Sequence, residues 1–179
     1  MAGAGSRFDT ERFDSAVERV VDRARNPAFA HVFYALSAAA DHSKLWHGLA
    51  WVRGVATGRP EEARRMSTAL GIESFVTNVV VKSAVGRIRP ERPTTDGPLP
   101  YGMRVPITSS FPSGHATAAF TAAVFLSHDD ALAPVWYGLA GVVGVSRVYV
   151  RVHHASDVIA GAAFGLVLGR VLRRALGPR

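Results

Sequence analysis

His153 and Asp157 stand four residues apart in the stretch Ser146-Arg147-Val148-Tyr149-Val150-Arg151-Val152-His153-His154-Ala155-Ser156-Asp157. On a helical turn that spacing brings the carboxylate towards the imidazole and fixes its tautomer, and an oriented neutral histidine is a nucleophile. Ser156 and Asp157 also read as the cap and first turn of a helix, where an acid is favourable, but capping accounts for neither Arg147 nor His153. A second stretch, Ser109-Ser110-Phe111-Pro112-Ser113-Gly114-His115, leads into apolar residues at 116–120. A Ser-Gly turn before a helix exposes backbone N–H groups, which with the helix dipole form a phosphate cradle; His115 stands beside it as a proton donor. Taken alone, ordinary N-capping by Ser113, with Pro112 and Gly114 shaping the turn, explains this stretch equally well. The third, Lys82-Ser83-Ala84-Val85-Gly86-Arg87-Ile88-Arg89-Pro90, ends an apolar segment with a group of cations. By itself it is explained more simply by interfacial anchoring. Jointly the three supply Lys82, Arg89, Arg147, two histidines and an aspartate beside a helix N-terminus. Phosphoryl transfer needs this inventory: cations around the equatorial oxygens, an in-line nucleophile and an acid for the leaving oxygen.

The elements that must position these residues are apolar. The 179-residue chain suits one domain, and with no cysteine it has no disulfide, thiolate metal site or cysteine nucleophile. A formal charge of +7, from 21 basic against 14 acidic residues, suits an anionic partner without choosing among nucleic acid, phosphorylated lipid and membrane surface. An apolar fraction of 48%, with charge thin over 66–85 and after residue 131, points towards lipid. Over 9–25, Phe13, Ala16, Val17, Val20, Val21 and Ala24 fall at helical spacing among charges before Pro27, predicting an amphipathic helix either at the interface or packed on the domain. The charges in the first 25 residues leave no apolar run for a signal peptide.

Six apolar segments follow, at 28–40, 45–57, 66–85, 116–127, 131–150 and 157–172. A bilayer core asks for about 20 apolar residues per helix, so 66–85 and 131–150 qualify best. The expected fold is an all-α membrane helical bundle of about six helices, residues 28–179, preceded by the amphipathic helix of residues 1–27. If all six segments span, the loops at 82–115 and 146–157 share one face and both termini lie on the other. The terminus-bearing face then holds Arg59, Arg64, Arg65, Arg170, Arg173, Arg174, Arg179 and the arginines of the first helix, which places it in the cytoplasm. The catalytic face would look outward.

In order along the chain, Lys-x6-Arg-Pro at Lys82–Pro90, Pro-Ser-Gly-His at Pro112–His115 and Ser-Arg-x5-His-x3-Asp at Ser146–Asp157 resemble the three motifs of the type 2 phosphatidic acid phosphatase superfamily. The resemblance covers roughly residues 66–170. It implies that His153 attacks phosphorus, that Asp157 holds its ring, and that His115 protonates the leaving group and later takes a proton from water. It further implies that Lys82, Arg89, Arg147, the Ser113 hydroxyl and the Gly114 backbone bind phosphate oxygens, with no metal or other cofactor. The chain departs from the pattern at Ala155, where proline is common, which should loosen the turn. His154 fails the motif's count and is read as a polar neighbour or substrate contact. Arg87, Arg92, Arg104 and Arg151 match no motif residue and are read as headgroup contacts or solvated charges.

The implied function is hydrolysis of a membrane lipid phosphate, of the phosphatidate, phosphatidylglycerol phosphate or polyprenyl phosphate type, through a phosphohistidine. The implied partners are that lipid and the bilayer, and the implied location is a bacterial plasma membrane. A soluble acid phosphatase or vanadate-dependent haloperoxidase shares the motifs but resembles larger chains. A non-catalytic protein binding anionic lipid would keep the shape without the activity. Nucleic acid is disfavoured because the arginines interrupt apolar segments and form no basic face with interleaved aromatics.

Overall fold

The computed structural model describes residues 3–92, 97–128 and 130–177, with side chains from residue 9, so Arg179 lies outside it. These residues are helical and contain no strand. Helix α1 is Gly3–Arg23 and α2 is Pro27–Ala39, started by Asn26, whose side chain accepts from the Ala28 N–H. A 3-10 turn, Asp41–Ser43, leads into α3, Lys44–Ala56. Helix α4, Pro60–Phe75, continues through a π-helical turn at Val76–Val81 into the short α5, Lys82–Ala84. After the long loop come α6, Gly114–Leu126, α7, Ala133–Tyr149, and α8, Ala155–Leu176.

Side-chain pairs fix the course of the chain between the two ends of the bundle. Asp41, ahead of α3, faces His115 at the start of α6, whereas Arg53, near the end of α3, pairs with Asp130 in the loop after α6. Helix α3 therefore runs away from the end that carries the three motifs. Helix α4 with α5 returns to it, α6 leaves, α7 returns and α8 leaves. The segment read as the first crossing behaves otherwise. Asn26, before α2, bonds the Tyr149 hydroxyl at the motif-bearing end of α7, and Ser37, near the other end of α2, bonds Arg147, two residues from Tyr149. Both ends of α2 thus lie at the same end of the bundle. The expectation that both termini share the face opposite the motifs is corrected: α1 and α2 sit on the motif-bearing end and the C-terminus on the other. A 13-residue helix is about 20 Å long, which suits lying across that end better than spanning a bilayer.

Packing follows the logic of a protein dissolved in lipid. Val52, Val55, Phe75, Val142, Val145, Val167 and Val171 are exposed, while Glu73, Thr77, Thr117 and Thr121 are buried. Glu73 is satisfied inside by the Thr77 hydroxyl, at 2.8 Å. The core between the helices is Trp46, Met66, Leu70, Leu126 and Val143 with many alanines. Among the described residues, the one uninterrupted α-helix both long and apolar enough to cross a membrane by composition is α8, whereas 66–85 is divided among α4, the π-helical turn and α5, and 131–150 is shortened to α7. Helix α4 opens on Glu61, Glu62, Arg64 and Arg65, and α7 ends after 17 residues.

The closest helix pair is α6 with α8. A Cβ built on Gly161 would stand 2.6 Å from the Ser113 carbonyl, and one on Gly165 2.4 Å from that of Thr117. These two glycines bring the backbones into contact, and the Thr121 hydroxyl donates to the Gly165 carbonyl at 3.2 Å. The crossing presses the Ser113-Gly114-His115 turn against the first turn of α8. Gly165→Ala must push the helices apart. A loss of about 1–3 kcal/mol is expected from such overpacking, read as a lowered melting temperature in detergent together with reduced turnover.

Candidate active site

The loop from α7 to α8 is closed by the backbone itself. The Arg147 carbonyl accepts from the Val152 and His153 N–H groups, at 3.2 and 3.3 Å, and Arg151 takes a left-handed conformation (φ 53°) to make the turn. This places Arg147 and His153, six residues apart, side by side. Both are buried, at 4% and 2% exposure.

Asp157, in the first turn of α8, is fully buried. Its Oδ2 accepts from the His154 N–H at 2.9 Å and lies 3.7 Å from His153 Nδ1, an ion-pair distance rather than a hydrogen bond. His154 is extended at the N-cap, and the Asp157 N–H donates back to its carbonyl at 3.1 Å. The reciprocal cap therefore holds the turn that proline would otherwise hold, so Ala155 does not loosen it. The other face of the His153 ring, Nε2, is 3.3 Å from Arg89 Nη1, which also donates to the Val152 carbonyl at 2.6 Å. Burial, ahead of any neighbouring charge, pushes His153 down to about 4, so its ring is neutral at physiological pH.

Arg89 is itself held by the Thr108 and Ser109 carbonyls, each at 3.2 Å, as the two ends of the long loop pair. At the start of α6, Ser113 caps weakly, accepting from Ala116 N–H at 3.5 Å. Gly114 and His115 open the helix, so their N–H groups have no acceptor within it. A Cβ on Gly114 would stand 3.3 Å from Asn78 Oδ1 and 3.6 Å from Lys82 Nζ, which puts the Lys82 ammonium over the bare turn. Lys82, Arg147 and His153 all lie within electrostatic reach of His115. Of the buried side-chain nitrogens without a hydrogen-bond partner among the described residues, His115 Nε2, Arg147 Nε and His153 Nδ1 belong to this one cluster. An anion among these groups would meet Lys82, Arg89, Arg147 and the turn at 113–115 together. A cavity of about 240 Å³ lined by Arg53, Met66 and Arg173 opens at the opposite end of the bundle and contains none of them.

The structure thus brings together all eight residues singled out from sequence: His153, His115, Asp157, Lys82, Arg89, Ser113, Gly114 and Arg147. It corrects the reading of Arg87 and Arg151. Arg87 donates to Asp157 Oδ1 and to Asp14 Oδ2, each at 2.6 Å, and Arg151 pairs with Asp22. Sequence reasoning missed Asp14, Ser37 and Asp41. Arg147 donates to the Ser37 hydroxyl, and His115 Nε2 lies 3.7 Å from Asp41, so α2 and the turn after it roof the cluster. A signal for Arg87 was present: it stands two residues before Arg89 in the same group of cations. His154 fits the reading of a polar neighbour, bonded through Nδ1 to Glu18 at 3.0 Å.

Residues 62–179 match the PAP2 superfamily. Over its whole length the chain is 31% identical to the decaprenylphosphoryl-5-phosphoribose phosphatase of Mycobacterium tuberculosis, covering 97% of that protein. The chain belongs to the PAP2 superfamily. Its function is that of a membrane lipid phosphatase, a phosphoric ester hydrolase. The lipid A 1-phosphatase of Porphyromonas gingivalis is 34% identical over half of this chain and 18% of its own length. Two crystal structures share the fold. The transmembrane PAP2-type phosphatidylglycerolphosphate phosphatase of Bacillus subtilis superposes with a TM-score of 0.72 at 24% identity, over 93% of this chain and 86% of that one. LpxE of Aquifex aeolicus gives 0.70 at 24% identity, over 89% and 93%. The exposed Val52, Val55, Phe75, Val142, Val145, Val167 and Val171 give the PAP2 bundle an apolar outer surface, which suits lipid better than water.

Proposed function

We propose that the PAP2 protein removes a terminal phosphate from a polyprenyl-type lipid phosphate through a phosphohistidine at His153. The observation that carries the reading is the His153 ring, held between Asp157 on Nδ1 and Arg89 on Nε2. Nδ1–H faces the carboxylate, and the Nε2 lone pair, given up by Arg89 as that guanidinium turns to the phosphate, attacks phosphorus. As the Nε2–P bond forms, the bond from phosphorus to the leaving oxygen breaks, and His115, protonated once the phosphate's negative charge is bound beside it, gives that oxygen its proton. Asp157 balances the imidazolium charge, while Lys82, Arg89, Arg147, the Ser113 hydroxyl and the Gly114 N–H bind the equatorial oxygens. Neutral His115 then takes a proton from water. The hydroxide attacks phosphorus, the N–P bond breaks and inorganic phosphate leaves.

The full-length similarity to a phosphatase named for a polyprenyl-linked phosphoribose favours that lipid class over phosphatidate and phosphatidylglycerol phosphate. Residues 28–179 form the phosphatase domain in this reading, and 1–27 the preceding helix. The end bearing Arg59, Arg64, Arg65, Arg170, Arg173 and Arg174 faces the cytoplasm of a bacterial plasma membrane. The arginines of α1 lie on the catalytic side, so this orientation rests on the arginine group at the other end alone. Purified protein in excess chelator is expected to release phosphate from a panel of lipid phosphates, fastest from a polyprenylphosphoryl phosphoribose. Loss of activity in chelator would end the metal-free scheme. Absence of release from every lipid would favour a non-catalytic protein that binds anionic lipid.

A further inference from the structure

Helix α1 lies on the ends of α7 and α8, and charge docks it there. Phe13 and Val20, from the stripe expected either to lie at the interface or to pack on the domain, are 44% and 62% exposed. Beside Val21, which packs against the cluster of Tyr149, Val150 and Val152, the side towards the bundle carries Asp14, Glu18 and Asp22, spaced four apart, which meet Arg87, His154 and Arg151. Of the three, Asp14 is the buried one, at 3% exposure. Its Oδ1 accepts from the Ser156 N–H at 2.8 Å, and its Oδ2 from the Ser156 hydroxyl at 2.7 Å and from Arg87 at 2.6 Å. A carboxylate taken out of water is costly unless it is paired and bonded in this way.

Arg87 joins this carboxylate to the catalytic one. One guanidinium nitrogen donates to Asp14, and the other to Asp157 Oδ1 and to the Ser156 hydroxyl, at 2.6 and 2.7 Å. Asp157 therefore has Oδ1 occupied by Arg87, which leaves Oδ2 for His154 N–H and for the His153 ring. Were Arg87 free to take another rotamer, the Asp157 carboxylate could turn and withdraw Oδ2 from His153. Arg87 is a long side chain, and what pins its far end is Asp14.

We propose that Asp14 is a positioning residue for phosphoryl transfer: through Arg87 it holds Asp157 in the orientation that aims its carboxylate at His153. The proposal rests on the reading of His153 as the nucleophile. It makes the N-terminal helix, which lies outside the segment matched to the superfamily, part of the working site.

The test uses the full-length protein and a short-chain phosphatidic acid as probe. Asp14→Asn keeps the shape and removes the charge. Its kcat is expected to fall by about tenfold or more, as for groups that orient a reacting side chain from behind, with KM within about twofold. KM stays because Lys82, Arg89 and Arg147 are untouched. Asp22→Asn, on the same face of α1 but paired to Arg151, is expected to keep kcat. The double variant Asp14→Asn/Arg87→Lys should be no slower than Arg87→Lys alone, because both changes break one relay. Wild-type kcat in Asp14→Asn, an equal loss in Asp22→Asn, or losses that multiply in the double variant would each overturn the proposal. If Asp14→Asn yields no folded protein, Arg87→Lys decides: a lowered kcat at unchanged KM supports the relay and a normal kcat ends it. His153→Ala, run in parallel, separates the two readings. Turnover in that variant removes the nucleophile assignment, whereas an inactive His153→Ala beside a fully active Asp14→Asn removes the positioning role alone.

Discussion

His153→Ala is expected to lower lipid-phosphate hydrolysis by at least about 10⁴-fold, to the background of the preparation, while His154→Ala stays within a few-fold of wild type. The asymmetry follows from position. His153 is 2% exposed, with one ring nitrogen facing Asp157 and the other facing Arg89 in the cation cluster, whereas His154 points away to Glu18. The other imidazole of the cluster, His115, lacks a carboxylate one turn away on its own helix and serves the leaving oxygen, so it does not replace His153. The check is phosphate release under saturating substrate, together with rapid quenching after labelled substrate. Wild type should carry label that is stable in alkali and lost in acid, as a phosphoramidate bond requires, and His153→Ala should carry none. A labelled His153→Ala protein, or loss of activity in His154→Ala instead, would mean that the wrong histidine has been chosen.

His115→Ala is expected to cost about 10²–10⁴-fold in kcat on a lipid whose leaving group is a sugar or glycerol alkoxide, the range of general acid catalysis. The loss should shrink sharply on an aryl phosphate such as p-nitrophenyl phosphate, whose leaving group departs without a proton. This contrast distinguishes a lost acid from a damaged site, because misplacing the cations or the nucleophile slows both substrates alike. His115 stands at the start of α6 with Nε2 buried and without a hydrogen-bond partner, 3.7 Å from Asp41. That nitrogen is free to serve a leaving oxygen. Equal losses on the two substrates would remove His115 from the role of acid and make it a phosphate-binding group.

The two predictions draw unequally on sequence and structure. The choice between His153 and His154 came from the motif's count, His-x3-Asp, which the resemblance supplies, since residues three and four apart on a helical turn are neighbours alike. The helices were legible from local pattern: apolar runs broken by Gly58, Pro60 and the Pro-rich loop end where covalent geometry and hydration demand it. The course of α2 was not legible. Its 13 residues, mostly apolar, serve equally for crossing a membrane or lying across the end of a bundle, and only the bonds of Asn26 to Tyr149 and of Ser37 to Arg147 decide. The docking of α1 was likewise hidden, since its apolar stripe and its acidic stripe run along one helix, and composition cannot tell which of them finds partners.

By itself, the sequence of this PAP2 protein determined the helical class and the three motifs, and through their resemblance to the family it nominated the reacting groups, because those depend on residue type and on spacing within a few residues. Tertiary structure alone decided which face α1 and α2 cover, that Arg87 belongs to the site, and that Asp14 stands behind Asp157. Those contacts join residues about 70 to 140 positions apart. Such pairs form only after the glycine-lined crossing of α6 and α8 has set the geometry, and no local pattern records where a distant backbone will come to rest.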